Sequence, residues 1–335
     1  MTDWRKSLAE SDRKRLEKTS FPDWMDAMKA TLTDEPFSSS DWIFEPKLDG
    51  ERLLAFVHDG KARLYSRNRK CLDDTYPELV EAISGQATTD MVLDGEVVAF
   101  RDGLSSFSRL QGRLGIKDPE EARDTGIDVS LYLFDLLYYD GQDLRALPLT
   151  SRKQLLKEAL AFDDPLRFTS HRNEDGESYY REACDRGWEG LIAKRADSPY
   201  RSSRSRHWLK FKCVNRQELV IGGYTDPEGE RTCFGALLLG YYQDGDLRYA
   251  GRVGTGFDQA MLEDLHKQLK KRVRKTSPFD DSAPGEGERT HWVTPELVCE
   301  VGFTEWTRDG RLRHPRFLGL REDKPASQVR RERPQ

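Results

Sequence analysis

Apolar residues recur along this chain in short runs closed off by Asp-Gly, Asn-Arg and Ser-Pro turn signals. WIFEP (42–46), RLLAFV (52–57), ARLYS (62–66), MVLDGEVVAF (91–100), LYLFDLLYY (131–139), GLIAKR (190–195) and HWLKFK (207–212) are rich in β-branched and aromatic residues and predict strands. Helical spacing falls at about 77–84, 151–161 and 177–186, so the first two-thirds read as an α+β mixture with hairpins rather than a regular βαβ alternation. From about 217 the pattern changes: ELVIGGYT, ALLLGYYQDGDLRYAGRVG, ELVCEVGFTEWT and RLRHPRFLGL predict five or so short strands, with one helix at about 257–273. Short strands with a single inserted helix suit a small Greek-key barrel of the OB type. The boundary is expected near 214–217. The charged segment 1–20 is read as a helical extension and 328–335 as a basic tail.

A length of 335 residues suits about two domains. The apolar run at 131–139 is far short of the roughly 20 residues that span a bilayer and is broken by Asp135, and the N-terminus has no apolar signal core. Five cysteines without a CxxC pair argue against a disulfide framework and a structural zinc site, and the reducing cytosol is the expected compartment. The net charge of −5 argues against a histone-like DNA binder, but charge is clustered. Segments 201–216 and 267–275 each carry six Lys/Arg and no acid, and 311–316 adds three Arg and a His. Basic stripes on an acidic chain fit a protein that meets phosphates on one face. No GxGxxG follows a first strand and no GxxxxGK[ST] is present, which excludes Rossmann and P-loop sites.

Six segments carry candidate chemistry. Glu45-Pro46-Lys47-Leu48-Asp49-Gly50-Glu51-Arg52 lies between two apolar runs; its Asp-Gly predicts a tight hairpin turn with Lys47 at a strand end. A lysine there is a nucleophile if burial or nearby cations lower its pKa. Arg67 ends the next strand, where a guanidinium fork suits phosphate. Asp94-Gly95-Glu96 interrupts an apolar strand, and a charge in that setting needs a partner or a metal. Phe134, in LYLFDLL, is an aromatic able to stack on a base. Glu189 immediately precedes GLIAKR, so it and Glu96 offer two carboxylates to one cleft; without thiolates or a histidine cluster they suit Mg²⁺ or Mn²⁺. In WLKFK, period two puts Lys210 and Lys212 on one face and Leu209 and Phe211 on the other, and two parallel lysines call for an anion such as phosphate. Singly, each of these is an ordinary turn, surface arginine or core aromatic.

Taken in order, KxDGxR, SR, DGE, FD, EGL and KxK resemble the covalent nucleotidyltransferase superfamily of ATP-dependent DNA ligases, RNA ligases and capping guanylyltransferases. The resemblance covers about 21–327. Arg313-His314-Pro315-Arg316-Phe317-Leu318-Gly319-Leu320-Arg321-Glu322-Asp323-Lys324 is similar to the last motif of DNA ligases, and Glu305-Trp306-Thr307-Arg308-Asp309-Gly310 resembles the ligase module of bacterial end-joining ligases. It implies an adenylation domain with antiparallel sheets over 21–215, then an OB-fold β-barrel over 216–327, as a stand-alone minimal ligase or a ligase module. Lys47 would carry AMP from ATP. Glu45 would read the adenine amino group and Phe134 stack on the ring. Arg52 and Arg67 would contact the nucleotide and the nick's 5′-phosphate. Glu96 would bind ribose or metal, and Glu189 metal. Lys210 and Lys212 would hold the α-phosphate. Arg321, Asp323 and Lys324 would orient the pyrophosphate. The divalent metal with Lys210, Lys212 and Arg52 would depress the Lys47 pKa, and a hinge is expected near 215–217. Partners implied are nicked duplex DNA and a Ku-like end-binding protein, with a monomeric chain in the bacterial cytosol or nucleoid and no membrane. Two departures stand out: Arg69 where many relatives have glycine, and Ala27-Met28 in place of a proline–methionine pair. RNA ligation or capping by GTP, and a catalytically silent OB-fold DNA binder, are the rival readings.

Overall fold

The computed structural model describes residues 3–332 apart from 34, 214, 228–231, 281–289 and 308. The chain divides into two compact units, Met1–Cys213 and Val214–Arg333, each considered by itself. Val214, at the expected boundary, Arg308, in the end-joining-like segment, and the last residues of the tail lie outside the described residues. No described helix is long and apolar enough to cross a membrane.

The first unit holds two sheets. One runs Glu17–Lys18, Gln142–Asp143, Ser130–Tyr139, Met91–Val98, Glu51–His58, Lys61–Ser66, with Leu166–Phe168 added alongside Ser130–Tyr139. The other runs Arg172–Glu174, Ser39–Pro46, Gly190–Arg195, Arg204–Lys212, Lys29–Leu32. The first is buried on both faces, which explains its near-continuous apolar runs. Leu53, Ala55 and Val57 enter a core with Leu93 and helix residues Leu79, Ile83, Leu155 and Leu156. Leu54 and Phe56, on the opposite face, meet Phe134, Tyr200 and Trp208. The second sheet covers its outer face with helix Gly176–Asp185, through Phe44, Leu191, Leu209, Phe211, Tyr179 and Ala183. Both sheets therefore turn one face toward Phe134 and Trp208.

Several expectations need correction. Ser39–Pro46 and Glu51–His58 do not form a hairpin: they belong to different sheets, and 47–50 crosses between them. Gly50 is required there because a Cβ would lie 2.1 Å from the Val97 carbonyl oxygen. The sheets are not wholly antiparallel, since Lys29–Leu32 pairs parallel with Arg204–Lys212 and Leu166–Phe168 parallel with Ser130–Tyr139. Among the described residues of segment 1–20, Trp4–Ser7 and Glu10–Arg13 alone are helical, and Glu17–Lys18 adds an edge to the large sheet. Cys184 and Cys213 are disulfide-bonded. The count of five argued against a framework, but one bond needs only one pair that the fold brings together.

In the second unit, Asn215–Thr225 is the hub. It pairs with Leu237–Gln243 along one edge and with Val298–Phe303 and Thr290–Val293 along the other. Asp246–Val253, Val273–Arg274 and Arg316–Leu320 extend the sheet. The helix Gln259–Lys270, capped by the Asp258 side chain on the Met261 amide (2.8 Å), buries Leu262, Leu265 and Leu269. This is the strand-rich unit with one helix that the sequence predicts, although among the described residues no strand pairing closes it into a barrel. The expected hinge 215–217 is paired strand: Asn215, Arg216 and Gln217 lie opposite Phe303, Gly302 and Val301.

Candidate active site

Lys47 leaves the end of Ser39–Pro46 and donates its amide to the Gly190 carbonyl (2.9 Å), which locks the crossover to the central strand of the second sheet. Its ammonium is ion-paired with Glu189, whose side chain is almost fully buried. Glu189 is fixed from behind, its carbonyl accepting the Cys213 amide at 3.0 Å. Burial pushes the Lys47 pKa down, but Glu189, then Asp49 and Glu96, outweigh it and hold the amine above its ordinary value. The expectation of a depressed pKa therefore does not describe the chain by itself. The groups that act on the ammonium are carboxylates, and Glu189 leads them.

Strand register places the rest. Gly190 lies opposite Lys212, and Ile192 lies between Lys210 on one side and Glu45 on the other. Leu209 and Phe211 are buried on the outer face, so Lys210 and Lys212 project on the inner one, as period two predicts. Across the cleft Arg52 lies opposite Glu96, and Ser66 opposite Leu53, which puts Arg67 at the same sheet end as Arg52.

Arg52 makes a two-pronged bond to Asp94, with Nε and Nη2 each at 2.5 Å, and Nη2 also donates to the Met28 carbonyl (3.3 Å). Tyr200 Oη donates to Asp94 (2.7 Å) and accepts from the Met28 amide (2.7 Å). Burial works against the guanidinium charge, and Asp94 more than restores it. Asp94-Gly95-Glu96 is thus mid-strand rather than a turn, and Asp94 anchors Arg52. The Arg52 Cζ lies 4.6 Å from the Phe134 ring centroid, and Lys194 Nζ lies 4.0 Å from the same ring and 4.2 Å from Trp208.

Glu45 is not an open acceptor. Its two carboxylate oxygens take Lys153 Nζ at 2.5 Å and Lys194 Nζ at 2.6 Å, all three side chains being buried, and Lys153 also donates to the Thr169 carbonyl (2.9 Å). Burial raises the Glu45 pKa, but the two lysines more than offset it and hold the carboxyl below its usual value. Burial dominates at Lys194 and, with Lys153 repelling it, lowers its pKa from 10.5 to about 8 against the pull of Glu45 and Asp135. Between those values the unfolded chain binds the proton and the folded one does not, so this lysine makes stability rise with pH over that window. Urea titrations should show the wild type gaining on Lys194→Met between about pH 8 and 10.5, by roughly a few kcal/mol. Parallel curves would contradict the shift.

Sequence reasoning missed Lys153, Lys194 and Tyr200 as parts of this cluster, and marked Asp94 only as a charge in need of a partner, which is Arg52. The signal for Lys153 is its place in helix Leu149–Ala159, on the apolar stripe with Leu149 and Leu156. That for Lys194 is its inward position in GLIAKR, in step with Ile192. In the second unit, Arg321 pairs with Asp323 (2.9 and 3.1 Å) and Glu300 (3.3 Å), and Lys324 with Glu218 (3.1 Å). Glu218 and Glu300 are cross-strand neighbours, a like-charge pair that these two cations offset.

A lysine at the crossover of two facing sheets, followed by a separate OB-type unit, defines the covalent nucleotidyltransferase class. The chain belongs to the ATP-dependent DNA ligase family: the model of the "ATP dependent DNA ligase domain" matches residues 24–212 and that of the "ATP dependent DNA ligase C terminal region" matches 230–324. It is 41% identical over 324 residues to the multifunctional non-homologous end joining protein LigD of Pseudomonas aeruginosa, covering 95% of this chain and 38% of that protein. It is 34% identical to a DNA ligase of Natronomonas pharaonis, covering 84% and 52%. A solved mycobacterial DNA ligase D complexed with ATP and MES aligns with a TM-score of 0.68 at 37% identity, over 92% of this chain and 98% of that one. The chain thus spans well under half of the LigD proteins it resembles.

Proposed function

We propose that this chain is an ATP-dependent DNA ligase that seals 3′-hydroxyl/5′-phosphate nicks in duplex DNA through a lysyl–AMP and a DNA–adenylate. The observation that carries the reading is Lys47, held at the crossover with Glu189 at its ammonium and Lys210 and Lys212 projecting on the same sheet face. In the first step the deprotonated Lys47 Nζ attacks the α-phosphorus of ATP. An N–P bond forms, and the P–O bond to pyrophosphate breaks with its electron pair leaving on pyrophosphate. The nick's 5′-phosphate oxygen then displaces Lys47, and the 3′-hydroxyl oxygen displaces AMP. Lys210, Lys212 and Arg52 offset phosphate charge throughout. Phe134 is buried with Arg52 and Lys194 over its ring, so it stacks on the adenine only if that packing opens, while Arg67 takes the 5′-phosphate.

The groups acting on Lys47 are carboxylates (Glu189, Asp49 and Glu96), the oxygen donors that Mg²⁺ or Mn²⁺ takes. Glu189 and Glu96 would hold the ion, which would supply positive charge near the α-phosphate and compete for the carboxylates that keep Lys47 protonated. Glu45, clasped by two lysines, acts on the base only if one of them yields.

Kinship with LigD supports work at broken ends beside a Ku-like end-binding protein. The test is sealing of a labelled nick with ATP or GTP, and with DNA or RNA strands. Sealing of DNA by ATP supports the reading; transfer from GTP alone would move it to capping. Lys324→Ala is the cleaner probe of the last motif, because Arg321 also neutralises buried Glu300 and Asp323. It should slow self-adenylylation yet spare sealing of a pre-adenylylated nick, and equal losses would remove the pyrophosphate role.

A further inference from the structure

The turn after Lys61–Ser66 places an arginine in a backbone conformation that favours glycine. Arg69 has φ +64°, the left-handed region that glycine occupies without strain. The turn itself is closed by backbone and hydroxyl groups: the Arg69 amide donates to the Ser66 carbonyl (2.9 Å), the Ser66 amide to the Lys70 carbonyl (2.9 Å), and the Lys70 amide to Ser66 Oγ (3.2 Å). None of these bonds needs an arginine side chain. The guanidinium nevertheless has a prepared seat. Its Cζ lies 4.8 Å from the Trp24 ring centroid, and Trp24 is itself stacked on Phe56 (5.3 Å) and set edge-on to Tyr65 (5.8 Å). Asp26 Oδ1 forms a long ion pair with Nη2 (3.7 Å) and also accepts Trp24 Nε1 (2.7 Å), an exposed contact that a phosphate can displace. The Arg69 side chain remains 63% exposed. A guanidinium laid on an aromatic shelf keeps its N–H edge toward solvent with little freedom left to lose, which is the pre-organised form of a phosphate fork.

Arg69 is two residues beyond Arg67, at the sheet end that also carries Arg52. We infer that Arg69, seated on Trp24, binds a backbone phosphate of the nicked duplex next to the 5′-phosphate that Arg67 takes. The inference rests on the ligase reading, and it explains why a strained arginine stands where glycine would fit.

The test compares wild type with Arg69→Gly, by anisotropy of a labelled nicked duplex across a salt series and by thermal unfolding. Glycine relieves the backbone, so Tm should hold or rise by a few degrees. Nick affinity should fall roughly tenfold at about 50 mM salt, and the slope of log K against log salt should shrink by about one. Arg69→Lys, which keeps the charge without the fork, should retain part of the affinity. The same loss should appear on a nick bearing a 5′-hydroxyl, because a backbone phosphate is still present. Unchanged affinity and slope in Arg69→Gly would overturn the inference, as would a loss confined to 5′-phosphorylated nicks. Labelling of wild-type Lys47 by ATP, measured without DNA, reports on the ligase reading separately.

Discussion

Lys47→Arg and Lys47→Ala are expected to lose covalent labelling by ATP by more than about 10⁴-fold, the scale of removing a nucleophile. Arginine is the sharper variant. It keeps a cation beside buried Glu189, so the ion pair and the fold survive, but its guanidinium stays protonated and cannot attack phosphorus. Alanine also leaves Glu189 without that cation, so its loss mixes chemistry with local disorder. Both variants should still seal a nick already carrying AMP, because the last step uses no lysine nucleophile. An unlabelled protein that fails this reaction as well would show that Lys47 holds the site together rather than reacting. A gel assay of label on protein, beside one of pre-adenylylated nicks, checks both halves.

The second large effect is on stability. Arg152 and Asp135 are fully buried and joined by two bonds, Nε at 2.7 Å and Nη2 at 2.9 Å, while Arg152 Nη1 also donates to the carbonyls of Leu147 (2.6 Å) and Ser198 (3.0 Å). Arg152→Ala strands a carboxylate and two carbonyls in the interior and should cost about 3–5 kcal/mol. For a unit of this size that lowers Tm on the order of 10 °C. The double change Arg152→Met with Asp135→Leu should recover most of the loss, since it removes both charges together. A double variant no more stable than Arg152→Ala would mean that the carbonyl contacts, rather than the pair, dominate.

The strands were legible wherever period two or a continuous apolar run was strong. The runs at 52–57, 131–139, 190–195 and 207–212 all lie in strands, and the helices at 77–84 and 177–186 lie within a residue of expectation. What did not show was long-range geometry. Asp-Gly after Lys47 is a local turn signal, yet the strands on either side join different sheets because their pairing partners, Gly190–Arg195 and Met91–Val98, lie far along the chain. Parallel pairing of Lys29–Leu32 leaves no local mark, since its partner is far along the chain. The same holds for the Cys184–Cys213 bond, which depends on helix Gly176–Asp185 lying over the end of Arg204–Lys212.

At the site, the lysines of WLKFK follow from alternation. The clasp on Glu45 does not, because Lys153 arrives from a helix more than a hundred residues later. Charges on apolar stripes, Arg152 and Lys153 in one helix and Lys194 in one strand, were the available warning, since a buried cation requires an anion. Each found one: Asp135 for Arg152, and Glu45 for both lysines.

Lys47, among all the lysines of this chain, is the one expected to carry AMP. The direct measurement is to incubate the protein with ATP and Mg²⁺ or Mn²⁺ without DNA, digest it, and map the adduct by mass spectrometry. One AMP per chain is expected on the peptide containing Lys47, released when nicked DNA is added. An adduct on Lys194, Lys210 or Lys212 instead, or none from a preparation shown to be free of AMP, would contradict it.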